Sequence, residues 1–267
     1  MIEERSLHVN GFACAYAEAG SGPPIVLVHG LAGSGLGTWG PLLGDLARDF
    51  RVIAPDSRGA GASEVTPGPY PLSLLAEDLV ALIAALGLEA PVAVGHSMGA
   101  SVCLLAASGH ASPIRAVVGA GVAFGPPGPE ARGELEGLAA AAEGHGMQAL
   151  AEGMATLGTT QALRERDRGA YDALAALIAR QSPEGVAARA RGLAVFSLDD
   201  EIADVGVPVR LLAGAADPLS PWEANAALAA RLSDARLASL GDSAHEVMLD
   251  RPGVVGAEVR DVAGSGP

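Results

Sequence analysis

Gly95-His96-Ser97-Met98-Gly99 matches G-x-S-x-G in the setting that this pattern needs to be meaningful. The apolar run at 91–95 predicts a strand, and residues 100–108 predict a helix. Glycines on both sides of Ser97 permit a tight turn that lifts the hydroxyl to an exposed position. A serine hydroxyl is a weak nucleophile until a neighbouring base takes its proton. The N-terminus of the following helix would offer free N–H groups to a developing oxyanion.

The same strand-then-helix rhythm extends outward in both directions. Asn10-Gly11 predicts a hairpin between strands at about 4–9 and 12–18. Apolar runs at 24–29, 51–54, 115–119, 207–213 and 235–240 fit strands buried on both faces. Leu75, Leu79, Leu82 and Leu86 recur at helical spacing before Gly87. Ser220-Pro221-Trp222-Glu223 predicts a capping box. Alternation of this kind implies an α/β fold with a mostly parallel sheet and helices on both faces. From 125 to about 205 the strand signal stops and only helical spacing remains: Met147, Leu150, Met154, Leu157, then Tyr171, Leu174, Ile178. Gly125-Pro126-Pro127-Gly128-Pro129 opens this stretch. The expected organisation is a core at 1–125 and 206–267 carrying a helical cap at 126–205. Crossover helices on a sheet face are the alternative that spacing does not separate.

Composition sets outer limits. The 267 residues, 49% apolar, suffice for one large domain, and with 3% aromatics its core must be aliphatic. A net charge of −14, with 17 basic residues that are all arginine, repels nucleic-acid phosphates and anionic lipid, so neither partner is expected. No apolar run reaches the length of a membrane span, and Met1-Ile2-Glu3-Glu4-Arg5 is acidic where a signal peptide is basic. The expected location is the cytoplasm. Cys14 and Cys103 fit buried small hydrophobes. With no H-x-x-x-H pair, cysteine cluster or P-loop lysine, no metal or organic cofactor is expected.

Six histidines compete to be the base. His8, His110 and His145 are poorly placed, His29 should fix its own loop, and His96 should point away from Ser97. His245, in Gly241-Asp242-Ser243-Ala244-His245, follows the last strand at the carboxyl edge of the sheet, where it can meet Ser97. Asp217, just beyond the strand at 207–213, stands at the same edge and would hold the imidazole in its tautomer. Asp199, Asp200, Asp242 and Glu246 compete without capping a strand in this way.

From Val26-Leu27-Val28-His29-Gly30 to Asp250-Arg251-Pro252, through the loop Asp56-Ser57-Arg58-Gly59-Ala60-Gly61-Ala62-Ser63, the chain resembles the α/β-hydrolase superfamily. The resemblance implies an α/β-hydrolase fold: a mostly parallel, eight-stranded sheet flanked by helices, with an inserted helical cap. It implies a Ser97–His245–Asp217 triad, and N–H groups of Leu31 and Met98 for the oxyanion. The Asp56–Ser63 loop reads as turn chemistry. Ser97 stands where dehalogenase and epoxide-hydrolase relatives have Asp. Glu246 stands where carbon–carbon hydrolases have Trp. The loop Leu31-Ala32-Gly33-Ser34-Gly35 lacks the proline of perhydrolase-active haloperoxidase relatives, and Ala244 precedes His245 where Gly is more usual. Hydrolysis of an ester, thioester or lactone remains, and the insertion resembles the cap of enol-lactonases. Phe124, Phe196 and Trp222 are expected at the rim of an apolar pocket. Arg164, Arg166 and Arg168 are interleaved with acids and read as a solvated face, so an uncharged ester or lactone of small or medium size is the expected substrate. A hydrolase-fold ligand-binding or signalling protein with slow turnover is the alternative. Gly35-Leu36-Gly37-Thr38-Trp39-Gly40, with Asp56 at the spacing of a ribose-binding acid, imitates a nucleotide site, but it begins too far beyond its strand. Oligomeric state is not legible.

Overall fold

The computed structural model describes residues 1–109, 112–125, 128–198, 202 and 205–264. Asn10 and Gly11 take the left-handed backbone, φ 43° and 81°, that a two-residue hairpin demands. They join β1 (Glu3–Val9) to β2 (Phe12–Ala19), with Val9 opposite Phe12. β3 (Pro24–Val28), β4 (Arg51–Pro55), β5 (Val92–His96), β6 (Ala116–Ala120), β7 (Val209–Ala213) and β8 (Ala235–Ser239) complete an eight-stranded sheet. Its order is β1-β2-β4-β3-β5-β6-β7-β8, parallel throughout except where β2 meets β1 and β4. The predicted strands are therefore all present, with ends displaced by one or two residues, but β8 is an edge strand with no fully buried residue, against the expectation of burial on both faces.

Successive side chains of a strand face opposite ways, so the central runs feed two cores. Val26 and Val28 pack with Leu75, Leu79 and Ile83 of α2 (Leu72–Ala85) and Val102 of α3 (Met98–Ala107). Ile25 and Leu27 pack on the other side with Trp39, Leu43 and Leu46 of α1 (Gly35–Leu46). Each such large apolar side chain, when fully buried, contributes roughly 1.5–3 kcal/mol.

Between β6 and β7 lie α4 (Pro129–His145), α5 (Met147–Gly158), α6 (Gln161–Arg166), α7 (Arg168–Ala179) and α8 (Pro183–Ala194). Met147, Ala151, Tyr171, Leu174 and Val186 form their own cluster, joined by Ala32 from the loop after β3. The insertion thus rests on the loops at the carboxyl end of the sheet. Pro126 and Pro127 of its expected boundary lie outside the described residues. After β7 come α9 (Trp222–Arg231), α10 (Val247–Asp250) and α11 (Pro252–Gly264), whose Val255 and Val259 join the α1 side of the sheet. Among the described residues no helix is long and apolar enough to cross a membrane.

Two local expectations are corrected or resolved. The capping box at Ser220 does not form, because Ser220 is buried and its Oγ accepts a bond from Asn225 Nδ2 (2.9 Å), leaving α9 to begin after Pro221. The imitation nucleotide motif is the first turn and a half of α1. Asp56 is used there as a helix partner, its carboxylate accepting the N–H groups of Gly35 (2.7 Å) and Ala62 (2.8 Å).

Candidate active site

Ser97 occupies the corner between β5 and α3 at φ 54°, ψ −121°. A side chain at positive φ costs of order 1–3 kcal/mol and persists only where its surroundings enforce it. Here the corner is pressed against its neighbours. A Cβ on Gly95 would lie 2.3 Å from Gly99 O, and one on Gly99 would lie 2.4 Å from Val28 O. Only glycine fits either place, which gives the spacing of G-x-S-x-G its steric reason. The Ser97 N–H donates to Ala120 O of β6 (2.9 Å).

The loops after β7 and β8 bring Asp217 and His245 together, with His245 Nδ1 2.9 Å from Asp217 Oδ2. A carboxylate only accepts, so Nδ1 carries the proton and Nε2 is left free to act as a base. The other oxygen of Asp217 accepts from the N–H groups of Leu219 (2.8 Å) and Ser220 (3.0 Å), which fixes the carboxylate. Burial works to lower the His245 pKa, but the hydrogen bond and charge of Asp217 outweigh it and hold the group above the ordinary histidine value. Ser97 and His245 line one cavity, and no hydrogen bond joins them among the described residues. In unliganded sites such a pair commonly tightens only on substrate binding.

His96 has a partner that the sequence did not suggest: its ring lies against the His245 ring, centroids 4.8 Å apart, and its Nε2 donates to the His245 carbonyl at 3.0 Å. Burial holds it well below the usual histidine pKa, so it stays neutral. His29 behaves as expected, bridging Gly30 O (2.7 Å) and the Ser57 N–H (2.9 Å) to fix the turn after β3.

The N–H groups of Leu31 and Met98 have no hydrogen-bond partner among the described residues. Leu31 is held by a residue that sequence reasoning missed. Arg189, fully buried on α8, donates from Nε to Leu31 O (2.9 Å) and from Nη1 to Arg58 O (3.0 Å). Burial pulls its pKa down to about 10, so it remains charged at neutral pH. The available signal was a lone arginine inside Val186-Ala187-Ala188-Arg189-Ala190. Arg58 is in turn bound by both oxygens of buried Asp78, at 2.9 and 2.7 Å.

The cavity beside Ser97 measures about 630 Å³, and its walls include Leu135, Leu138, Met154, Leu157, Leu174 and Leu177 from the insertion. Phe124 lines it as expected. Phe196 and Trp222 do not: Phe196 is 3% exposed, packed with Leu198 in the core, and Trp222 is 37% exposed at the outer start of α9. Beside Phe124, leucine and methionine build these walls. Glu246 and Glu134 also line the cavity, and no arginine does among the described residues. Arg164 instead bonds Thr159 O (2.6 Å), Arg166 pairs with Asp250 (2.8 Å) and Arg168 with Asp172 (2.8 Å). Asp242 is exposed, while Asp199, Asp200 and His110 lie outside the described residues. Cys14 and Cys103 are free and buried, the Cys14 thiol pushed up to about 12 by burial. No trio of His, Cys, Asp or Glu among the described residues is placed to hold a metal.

Residues 23–252 match the family model described as alpha/beta hydrolase fold. The enol-lactonase from Burkholderia xenovorans LB400 superposes with a TM-score of 0.90 at 27% identity, over 98% of this chain and 100% of that one. A thermophilic esterase from Thermogutta terrifontis does so at 0.89 and 26%, over 97% of each chain. A soluble epoxide hydrolase from Corynebacterium sp. (strain C12) is 38% identical over 101 residues, 38% of this chain and 35% of its own length. The chain spans about a third of the length of such curated relatives, 28 to 35%.

Proposed function

Because the chain belongs to the α/β-hydrolase family, we propose that it is a serine hydrolase that cleaves a small or medium carboxylic ester or lactone through an acyl-enzyme. The observation that carries this reading is the Asp217–His245 hydrogen bond set behind a serine at a sterically enforced positive φ, on one cavity. His245 Nε2 takes the Ser97 proton as Oγ attacks the carbonyl carbon. The Leu31 and Met98 N–H groups receive the oxyanion, an interaction that strengthens as charge develops. Asp217 stays ionised and steadies the imidazolium, which then protonates the leaving alkoxide. Water deprotonated by the same Nε2 attacks the acyl-serine; as the C–Oγ bond breaks, the imidazolium returns its proton to Ser97 Oγ and the acid leaves. The inserted helices α4 to α8 act as a cap that supplies the apolar wall for the acyl chain.

Epoxide hydrolysis fits the residues less well. Serine attack on an epoxide carbon would leave an ether, which hydroxide does not cleave, whereas a carboxylate nucleophile would leave a hydrolysable ester. The absence of an arginine from the described cavity lining, together with Glu134 and Glu246, disfavours anionic substrates. A panel of esters, thioesters and lactones of graded length tests the proposal. Turnover should fall on non-anionic esters or lactones, be abolished in Ser97→Ala, and change by roughly 10- to 200-fold per methylene at most. Strong preference for a dicarboxylate over its neutral analogue would contradict the substrate class.

A further inference from the structure

Glu246 is a carboxyl that the chemistry above does not use. It directly follows His245, and its N–H donates to Gly158 O at the end of α5 (2.9 Å). Its side chain is laid across that helix end: a Cβ on Gly158 would come within 3.1 Å of Glu246 Cγ, so glycine there makes room for it. Among the described residues the carboxyl accepts no hydrogen bond and forms no ion pair, yet it lines the cavity that Ser97 and His245 share. His245 and Asp217 are the titratable groups that act on it. On neighbouring α6, Arg164 is held by the Thr156 and Thr159 carbonyls and Arg166 by Asp250. Burial pushes Glu246 up to about 7, against the pull of His245. Glu134 on α4 adds a second carboxylate to the same cavity.

A carboxylate in an apolar wall is costly unless it takes up a proton or a partner arrives with the opposite charge. The cavity holds two acids, no described arginine and, apart from the His245 and His96 rings and a few small polar groups, a lining dominated by leucine and methionine, which is the reverse of an anion site. We infer that Glu246 anchors a positively charged nitrogen on the substrate, so that the cavity takes small esters or lactones carrying an ammonium group. The turnover part rests on the hydrolase function proposed above; the binding part does not.

Isosteric pairs test it: choline butyrate against 3,3-dimethylbutyl butyrate, and an ester of 4-(trimethylammonio)butyrate against its 5,5-dimethylhexanoate counterpart. The cationic member of at least one pair should show a kcat/KM about tenfold or more higher, the scale of one partly buried charge pair. That ratio should collapse toward one in Glu246→Gln and grow from pH 6 to 8 as Glu246 ionises. Titration of His245 is common to both members and cancels. Equal kcat/KM within both pairs, in protein that turns them over, would overturn the subsite and leave the hydrolase intact. If no ester is turned over and Ser97 takes no acyl group, the hydrolase reading fails instead. Calorimetry with butyltrimethylammonium then decides the subsite: heat lost in Glu246→Gln supports it, and no heat in the wild type overturns it.

Discussion

In the core, Ile25 and Val26 are chain neighbours that belong to opposite hydrophobic clusters, and both are fully buried. In the insertion, α4 meets α8 through Ala139, Ala187 and Ala190, and the exposed flank is tied by Arg191 to Glu143 (2.7 Å). The first region leaves its backbone almost no freedom, which is why a serine can be held at a strained φ and why three loops deliver their side chains to one edge. The second region packs small residues and ends in a wall of flexible leucine and methionine side chains. On the proposed mechanism the contrast separates two tasks: the sheet would fix the reacting groups, and the helices would shape what reaches them. Arg189 joins the two, reaching from α8 to the carbonyl of Leu31.

If that division holds, Ser97→Ala should lower kcat/KM by about four orders of magnitude or more while leaving Tm unchanged, since only a cavity-facing hydroxyl is lost. A matching loss of thermal stability would show that the corner depends on the hydroxyl. Arg189→Ala should break the division itself. Leaving the buried Arg58 carbonyl and the half-buried Leu31 carbonyl without this donor, plus the lost packing, should cost about 3 kcal/mol in denaturant unfolding. It should also lower kcat through the loosened Leu31 loop, with Arg189→Met recovering stability more than rate.

The pH response is a smaller effect. The imidazolium pKa of His245 lies above the ordinary value, and in the proposed mechanism the neutral form is the base. Activity should therefore rise with pH by up to about tenfold per unit through roughly 6 to 8. In Asp217→Asn the residual activity should reach its midpoint at lower pH, because the carboxylate no longer stabilises the cation. A midpoint that does not move would remove Asp217 from its role. Least affected should be Arg191→Ala, a surface pair worth under about 1 kcal/mol in thermal unfolding and without effect on kcat.

The core was legible because its signals are local. Each buried strand is a short apolar run, Asn10-Gly11 dictates its hairpin, and the order of Ser97, Asp217 and His245 follows the order of strand ends. What escaped the sequence depends on contacts between distant segments. His96 faces the site because the loop after β8 folds across β5 and presents its carbonyl. Arg189 reads like its neighbour Arg191, a polar residue on an alanine-rich helix, until Leu31 is placed beside it. The cavity wall escaped because leucine spacing is the same for a core stripe and for a pocket face. Trp222 misled for the opposite reason: an aromatic suggests a pocket, but this one caps the outside of a helix.

Labelling of folded protein with a fluorophosphonate, followed by peptide mass spectrometry, tests the central assignment most directly. The adduct should sit on Ser97 at one equivalent per chain, form faster as pH rises through the titration of His245, and be nearly lost in His245→Ala. An unlabelled Ser97, or labelling at the same rate without His245, would contradict the account.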